Sequence, residues 1–148
     1  IGLILVNGEP FVIEYNCRMG DPETEVVLPR ISSDFLLLLK ALPDQNLPAV
    51  NLVLDQRSAA TVMLVSGGYP EAYEKGKKMT IPDPENDSLF FQAGTKKEGS
   101  EILTNGGRVL AITSFGNDFR EAVQKSLKQA ATVEFEGKYF RSDIGFDL

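Results

Sequence analysis

The chain of 148 residues contains no histidine and no tryptophan, and its single cysteine is Cys17. Without histidine, the Ser-His-Asp and Cys-His catalytic constellations cannot be assembled within it. One cysteine excludes an intramolecular disulfide, a pattern that fits a reducing cytoplasm. Cys17 falls on the apolar side of a strand pattern and reads as a small buried hydrophobe rather than a nucleophile. No apolar run reaches the roughly 20 residues of a membrane helix, Leu36 to Leu39 being far too short, and the start is not a charged-then-apolar signal sequence. Positive charge is also scarce: 15 Lys and Arg against 21 Asp and Glu leave a formal charge of −6. That balance disfavours a nucleic-acid-binding surface, where phosphate contacts dominate affinity, and points to small-molecule partners. At 43% hydrophobic, the chain can still bury a core.

Its richest stretch is Phe11-Val12-Ile13-Glu14-Tyr15-Asn16-Cys17-Arg18-Met19-Gly20-Asp21-Pro22-Glu23. In a strand, Phe11, Ile13, Tyr15 and Cys17 share one mostly apolar face, expected to pack, while Glu14, Asn16 and Arg18 line the other. Glu14 and Asn16, two apart, can turn an oxygen toward one point. Cation sites that also hold substrate phosphates use few protein oxygens, which suggests Mg²⁺ with a nucleotide. Arg18 offers a planar fork of donors to a carboxylate or phosphate. A hairpin strand with a solvated polar face fits the same spacing. Gly20-Asp21-Pro22-Glu23 reads as a turn into a helix, with Asp21 as N-cap, Pro22 at the first helical position, and Glu23 and Glu25 in the first turn. A helix N-terminus there would present backbone N–H groups to a substrate's negative groups.

Elsewhere the pattern is α+β. Gly2 to Val6 and the strand after it form a hairpin through Asn7-Gly8-Glu9-Pro10. Pro22 to about Leu28 reads as a short helix ended or kinked by Pro29, and Ser32 or Ser33 caps a second helix through Asp34 to Ala41 whose four leucines are core. Pro43 to Pro48 breaks the pattern as a linker, and a second part begins near Ser58. Ala60 to Val65 is a buried strand and Gly67-Gly68-Tyr69-Pro70 a turn. Lys75, Lys77 and Lys78 form a solvated loop cluster, with an anion-facing role left open. Leu89 to Ala93 and Glu101 to Thr104 read as strands, and Asn105-Gly106 as a hairpin turn into Arg108 to Ser114. Asp118 caps a helix with Glu121 in the capping-box position, and Phe119, Ala122, Val123, Leu127 and Ala130 form its packing face. Arg141 and Asp143 alternate as a local surface ion pair.

The segment Ile13 to Glu25 resembles the end of the ATP-grasp domain of the phosphoribosylamine–glycine ligase (glycinamide ribonucleotide synthetase) family, whose pattern there is close to I-E-F-N-x-R-F-G-D-P-E-T. Tyr15 and Met19 replace the family's usual Phe at two places. The likeness continues through Ser66 to Pro70, Ala93 to Lys96, Thr104 to Leu110 and Tyr139 to Gly145, in the family's order. It implies the end of an ATP-grasp core at 1–43, a linker at 44–57 and a small, mostly antiparallel C-terminal domain with one principal helix at 58–148. The family joins glycine to 5-phosphoribosylamine through a glycyl phosphate, converting ATP to ADP and phosphate, in cytoplasmic de novo purine synthesis. Carried over, Glu14 and Asn16 become ligands of Mg²⁺ or Mn²⁺, and Arg18 a catalytic residue at the transferring phosphoryl group. Arg18, Asp21, Pro22 and Glu23 become substrate-binding residues, and Arg141 and Asp143 lie near the cleft. The resemblance further implies that the N-terminal, lid and most of the central domain lie outside this sequence, so that the piece by itself is inactive. Two other readings stand beside it: another ATP-grasp carboxylate–amine ligase, or a non-catalytic assembly module.

Overall fold

Asn7 and Gly8 both adopt positive φ, +52° and +85°, the backbone that a two-residue hairpin turn demands. They join β1 (Gly2–Val6) to β2 (Glu9–Glu14) as an antiparallel ribbon. The computed structural model describes residues 1–85 and 87–146. After the ribbon come α1 (Thr24–Val27), which passes into a 3-10 turn at Leu28–Arg30, and α2 (Phe35–Ala41). The stretch expected to link the two parts runs back beside residues 30–33: Ile31 pairs with Leu54, and the Asp55 N–H donates to the Arg30 carbonyl at 2.7 Å.

From Ser58 onward the chain builds two three-stranded antiparallel sheets. In the first, β8 (Arg108–Gly116) lies between β3 (Ser58–Val65) and β5 (Ser88–Gln92). In the second, β7 (Glu101–Thr104) lies between β4 (Lys78–Met79) and β6 (Thr95–Glu98). The fold class is therefore α+β with mostly antiparallel sheets, as expected. α3 (Phe119–Thr132) packs on the first sheet. The core joins Val62, Leu64, Val109, Leu110 and Ile112 to Ala130 and Val133, and each valine, leucine or isoleucine among them contributes about 1.5–3 kcal/mol by leaving water. The Asp118 carboxylate accepts the Glu121 N–H at 2.9 Å, the expected N-cap, while Glu121 accepts from Asn117. Among the described residues no helix is long and apolar enough to cross a membrane.

Several local expectations are corrected. Asp34, not Ser32 or Ser33, caps α2, and Ser33 accepts from the Val53 N–H instead. Leu36, Leu37 and Leu39 are exposed rather than core, because among the described residues no second layer covers these sides of α2. β2 is exposed along its whole length, so its apolar face does not pack: Ile13 is 65% exposed, and Tyr15 and Cys17 beyond its end are exposed too. A two-stranded ribbon has no layer of its own to bury them. Of the expected α3 face, Ala122 and Ala130 are buried and Leu127 packs against the core; Ser126 and Gln129, which were not expected there, are buried with them, and the Ser126 hydroxyl donates to the Ala60 carbonyl at 2.8 Å.

The Asn105-Gly106 turn is also not a hairpin, since β7 and β8 belong to different sheets. The hairpin of the second sheet is β6–β7, turning at Gly99 with φ +60°. Gly106 serves a backbone crossing: a Cβ on Gly94 would stand 2.7 Å from the Gly106 Cα, and one on Gly107 would meet the Tyr69 ring at 2.1 Å.

Candidate functional site

β2 ends at Glu14, so Asn16 and Arg18 lie beyond the strand, Arg18 in a bend. The intended neighbours still meet. Asn16 Nδ2 donates to Glu14 Oε1 at 3.1 Å, placing the two side chains side by side. Gly2, opposite Glu14 in the ribbon, leaves room for it, as a Cβ there would press on Glu14 Cγ at 3.1 Å. Asn16, Arg18 and Glu23 then line one open groove of about 540 Å³, with Gly2 at its edge. Glu14, beside that groove against Asn16, completes a pair of adjacent oxygen-bearing side chains open to solvent, a donor set that suits a hard cation keeping waters and taking phosphate oxygens for its remaining positions. Arg18 Nη1 donates to the Met19 carbonyl at 3.1 Å, which holds the guanidinium against its own bend.

The turn that follows differs from expectation. Asp21 is not an N-cap: α1 starts at Thr24, with Glu23 at the cap position and no side-chain cap bond. Glu23 instead accepts the Gly20 N–H at 2.8 Å, while the Thr24 N–H and hydroxyl both donate to the Gly20 carbonyl. Four residues of helix, with an acidic side chain at the cap, do not make an anion-receiving N-terminus. The Asp21-Pro22 bond is cis, and Pro22 lines a second groove with Val26 and Thr61.

Asp21 goes to a residue that sequence reasoning left without a role. Arg108, the first residue of β8, donates from Nη1 to the Asp21 carbonyl at 3.1 Å and pairs through Nη2 with the Asp21 carboxylate at 3.0 Å. The visible signal was an arginine closing the Asn105-Gly106-Gly107-Arg108 run, but nothing local joins it to a loop 87 positions away. Five residues on, the buried Thr113 hydroxyl donates to the Glu25 carbonyl at 2.8 Å.

Arg141 and Asp143 form the local ion pair expected, bidentate at 2.8 Å for both contacts. Hydrogen bonding from Arg141 holds the Asp143 carboxyl below its ordinary range. Arg141 does not line the groove of Asn16, Arg18 and Glu23; it lies with Arg108 along a third, mostly apolar groove of about 280 Å³. Arg108 thus stands between the Asp21 loop and the Arg141 segment. In the lysine cluster, Lys77 lies between Glu74 at 2.6 Å and Glu136 at 2.8 Å, and Lys78 pairs with Glu101. The two carboxylates beside Lys77, Glu136 foremost, raise its pKa.

Comparison with known proteins gives a consistent result. Residues 59–147 match the family described as phosphoribosylglycinamide synthetase, C domain. The chain is 44% identical over 148 residues to a phosphoribosylamine–glycine ligase of Chlorobaculum tepidum, covering 98% of this chain and 35% of that protein. It is 41% identical over 144 residues to a bifunctional purine biosynthetic protein of Pichia angusta, covering 96% of this chain and 18% of that one. The crystal structure of a phosphoribosylamine–glycine ligase from Thermotoga maritima superposes with a TM-score of 0.79 at 37% identity, over 96% of this chain and 35% of that one. The chain therefore spans about a third of the length of the monofunctional relatives it matches.

Proposed function

The chain belongs to the phosphoribosylglycinamide synthetase C-domain family, and from that premise we propose that it is the C-terminal third of an ATP-dependent ligase joining glycine to 5-phosphoribosylamine in purine biosynthesis. In this reading 1–43 closes an ATP-grasp core, 44–57 links, and 58–148 is the C-terminal domain. The division is supported by the start of β3 at Ser58 and by a core that, apart from Ala41, draws its buried apolar residues from position 60 onward. The exposed apolar side chains of the β1–β2 ribbon are covered by the preceding domains of the same polypeptide, which also hold the nucleotide, so the piece alone is inactive. Its setting is the cytoplasm.

The observation that carries the reading is the convergence of Asn16, Arg18 and Glu23 on one groove, with Glu14 against Asn16. Glu14 and Asn16 would hold Mg²⁺ or Mn²⁺, which, when bound, neutralises phosphate charge between ATP and the protein. Arg18 places fixed positive charge where the transferred phosphoryl group develops negative charge. The glycine carboxylate takes the terminal phosphoryl of ATP and ADP leaves. The phosphoribosylamine nitrogen then forms its bond to the glycyl carbonyl carbon as the phosphate departs and the amine loses a proton. Asp21, Pro22 and Glu23 orient glycine and the ribose phosphate.

The test is ADP release by the full-length protein with glycine and freshly made phosphoribosylamine, each omitted in turn. Turnover requiring both supports the ligase; turnover indifferent to either points to another carboxylate–amine pair. In that protein Glu14→Gln and Asn16→Ala should each lower glycine-dependent ADP formation by about a hundredfold or more while the fold stays intact. Wild-type rates in both would refute the metal assignment.

A further inference from the structure

We propose that Arg108 is a positioning residue: a β-bulge turns its guanidinium onto the Gly20–Glu23 loop, where it grips Asp21 at both carbonyl and carboxylate and sets that loop for substrate. The inference rests on the reading above in taking that loop to bind substrate. The register of β3 against β8 carries it. Pairing runs regularly from Ser58↔Gly116 to Leu64↔Leu110 and then shifts, so that Val65 lies opposite Arg108 and Val109 is the extra residue. In an unbroken ladder Arg108 would share the side of Leu110 and Ile112, which is core. The bulge moves it to the side of Thr61, Met63 and Thr113.

A second observation agrees. Arg108 and Thr113 are an odd number of residues apart, yet both reach the segment 21–25. In a regular strand they would point to opposite faces; with one residue bulged out they share a face. The backbone beneath the guanidinium is fixed, because the Gly94 N–H donates to the Arg108 carbonyl at 2.9 Å and the Ser66 N–H to the Gly107 carbonyl at 2.8 Å. Within the Gly20–Glu23 loop, the Gly20 and Glu23 bonds stay local: Gly20 is tied to Glu23 and Thr24, and the Glu23 carbonyl accepts the Val26 and Val27 N–H groups at 3.2 and 3.0 Å. A strand fixed in the core thus orients a loop held mainly by its own short-range bonds, the arrangement that positions groups for binding.

The test compares wild type, Arg108→Ala, Arg108→Lys and Asp21→Asn in the full-length protein, by steady-state kinetics for each substrate and by hydrogen–deuterium exchange. Arg108→Ala should raise exchange across residues 20–25 while β3 and β8 stay protected. It should raise KM for glycine or phosphoribosylamine about ten- to a hundredfold with kcat within about threefold. Arg108→Lys, which cannot keep the planar two-point grip, should fall between wild type and alanine in both readouts. Asp21→Asn combined with Arg108→Ala should add little to either alone. Exchange at 20–25 unchanged in both Arg108 variants, or a loss confined to kcat, overturns the assignment. Should alanine unfold the domain, the lysine variant decides by the same loop signal. A wild-type protein without ligase turnover defeats the functional reading, and the exchange result then still decides whether Arg108 holds the loop.

Discussion

Leu3-Ile4-Leu5-Val6 on β1 and Val109-Leu110-Ala111-Ile112 on β8 are close in composition, yet the first four are 46–72% exposed and the second four are completely buried. Among the described residues β1 has one neighbouring strand and no layer on either face. β8 has strands on both sides, α3 over one face and the 21–25 segment reaching the other. An apolar strand thus states a demand for partners, and it is the number of layers around it that meets the demand.

The contrast can be broken by paired substitutions in this chain. Ile112→Ala or Leu64→Ala should cost about 2–5 kcal/mol in urea denaturation, since each removes contacts the packed core cannot recover. Leu5→Ala should stay within about 0.5 kcal/mol, and comparable costs at both places would refute the comparison. Gly107→Ala, whose new methyl would strike the Tyr69 ring, should cost about 1–3 kcal/mol by overpacking. Removing the two helix caps sharpens the contrast further. Asp118→Ala should lower stability by about 1 kcal/mol in the same denaturation series. Asp34→Ala, on a helix lying against little, should reduce helicity by circular dichroism without moving the global transition.

The smallest effect lies at the seam. Asp55 pairs with Arg57, which also reaches Asp87 at the start of β5, and the Arg57 hydrogen bonds bring the Asp55 carboxyl from an ordinary 3.8 down to about 2. A carboxyl lowered by folding adds stability above its unfolded pKa and loses it as pH falls through its folded one. The loss attributable to Asp55 should therefore fall between about pH 4 and pH 2. Arg57→Gln should return its titration, followed by carboxyl NMR, toward the ordinary value. An unmoved midpoint would show that Arg57 is not the cause.

Much of the fold was legible where one physical requirement had one local signature. The β1–β2 hairpin through Asn7-Gly8, the buried strand at Ala60 to Val65 and the Asp118 cap were all read correctly. The Asn105-Gly106 pair was misread because glycine answers two needs, positive φ and close backbone approach, and a sequence does not say which. Asp21 looked like a cap because capping is local; its partner Arg108 depends on a register shift that no spacing encodes. At the candidate site the adjacency of Glu14 and Asn16 was legible from their i, i+2 spacing, although the strand stops at Glu14. The leucines of α2 were read as core because an unbroken apolar run asks for cover without showing that a layer supplies it.

The crossing of Gly94 and Gly106 has a consequence for how this sequence can drift. Most packing faults are open to second-site suppression: a side chain grows on one side of a contact and its neighbour shrinks. Here the neighbour is already glycine, and the next obstacle is the Arg108 carbonyl, 2.4 Å from where a Gly94 Cβ would sit. The atoms in the way are backbone on both sides, so no side-chain change across the contact compensates, and a mutational path through either glycine requires the two connections between the sheets to move apart.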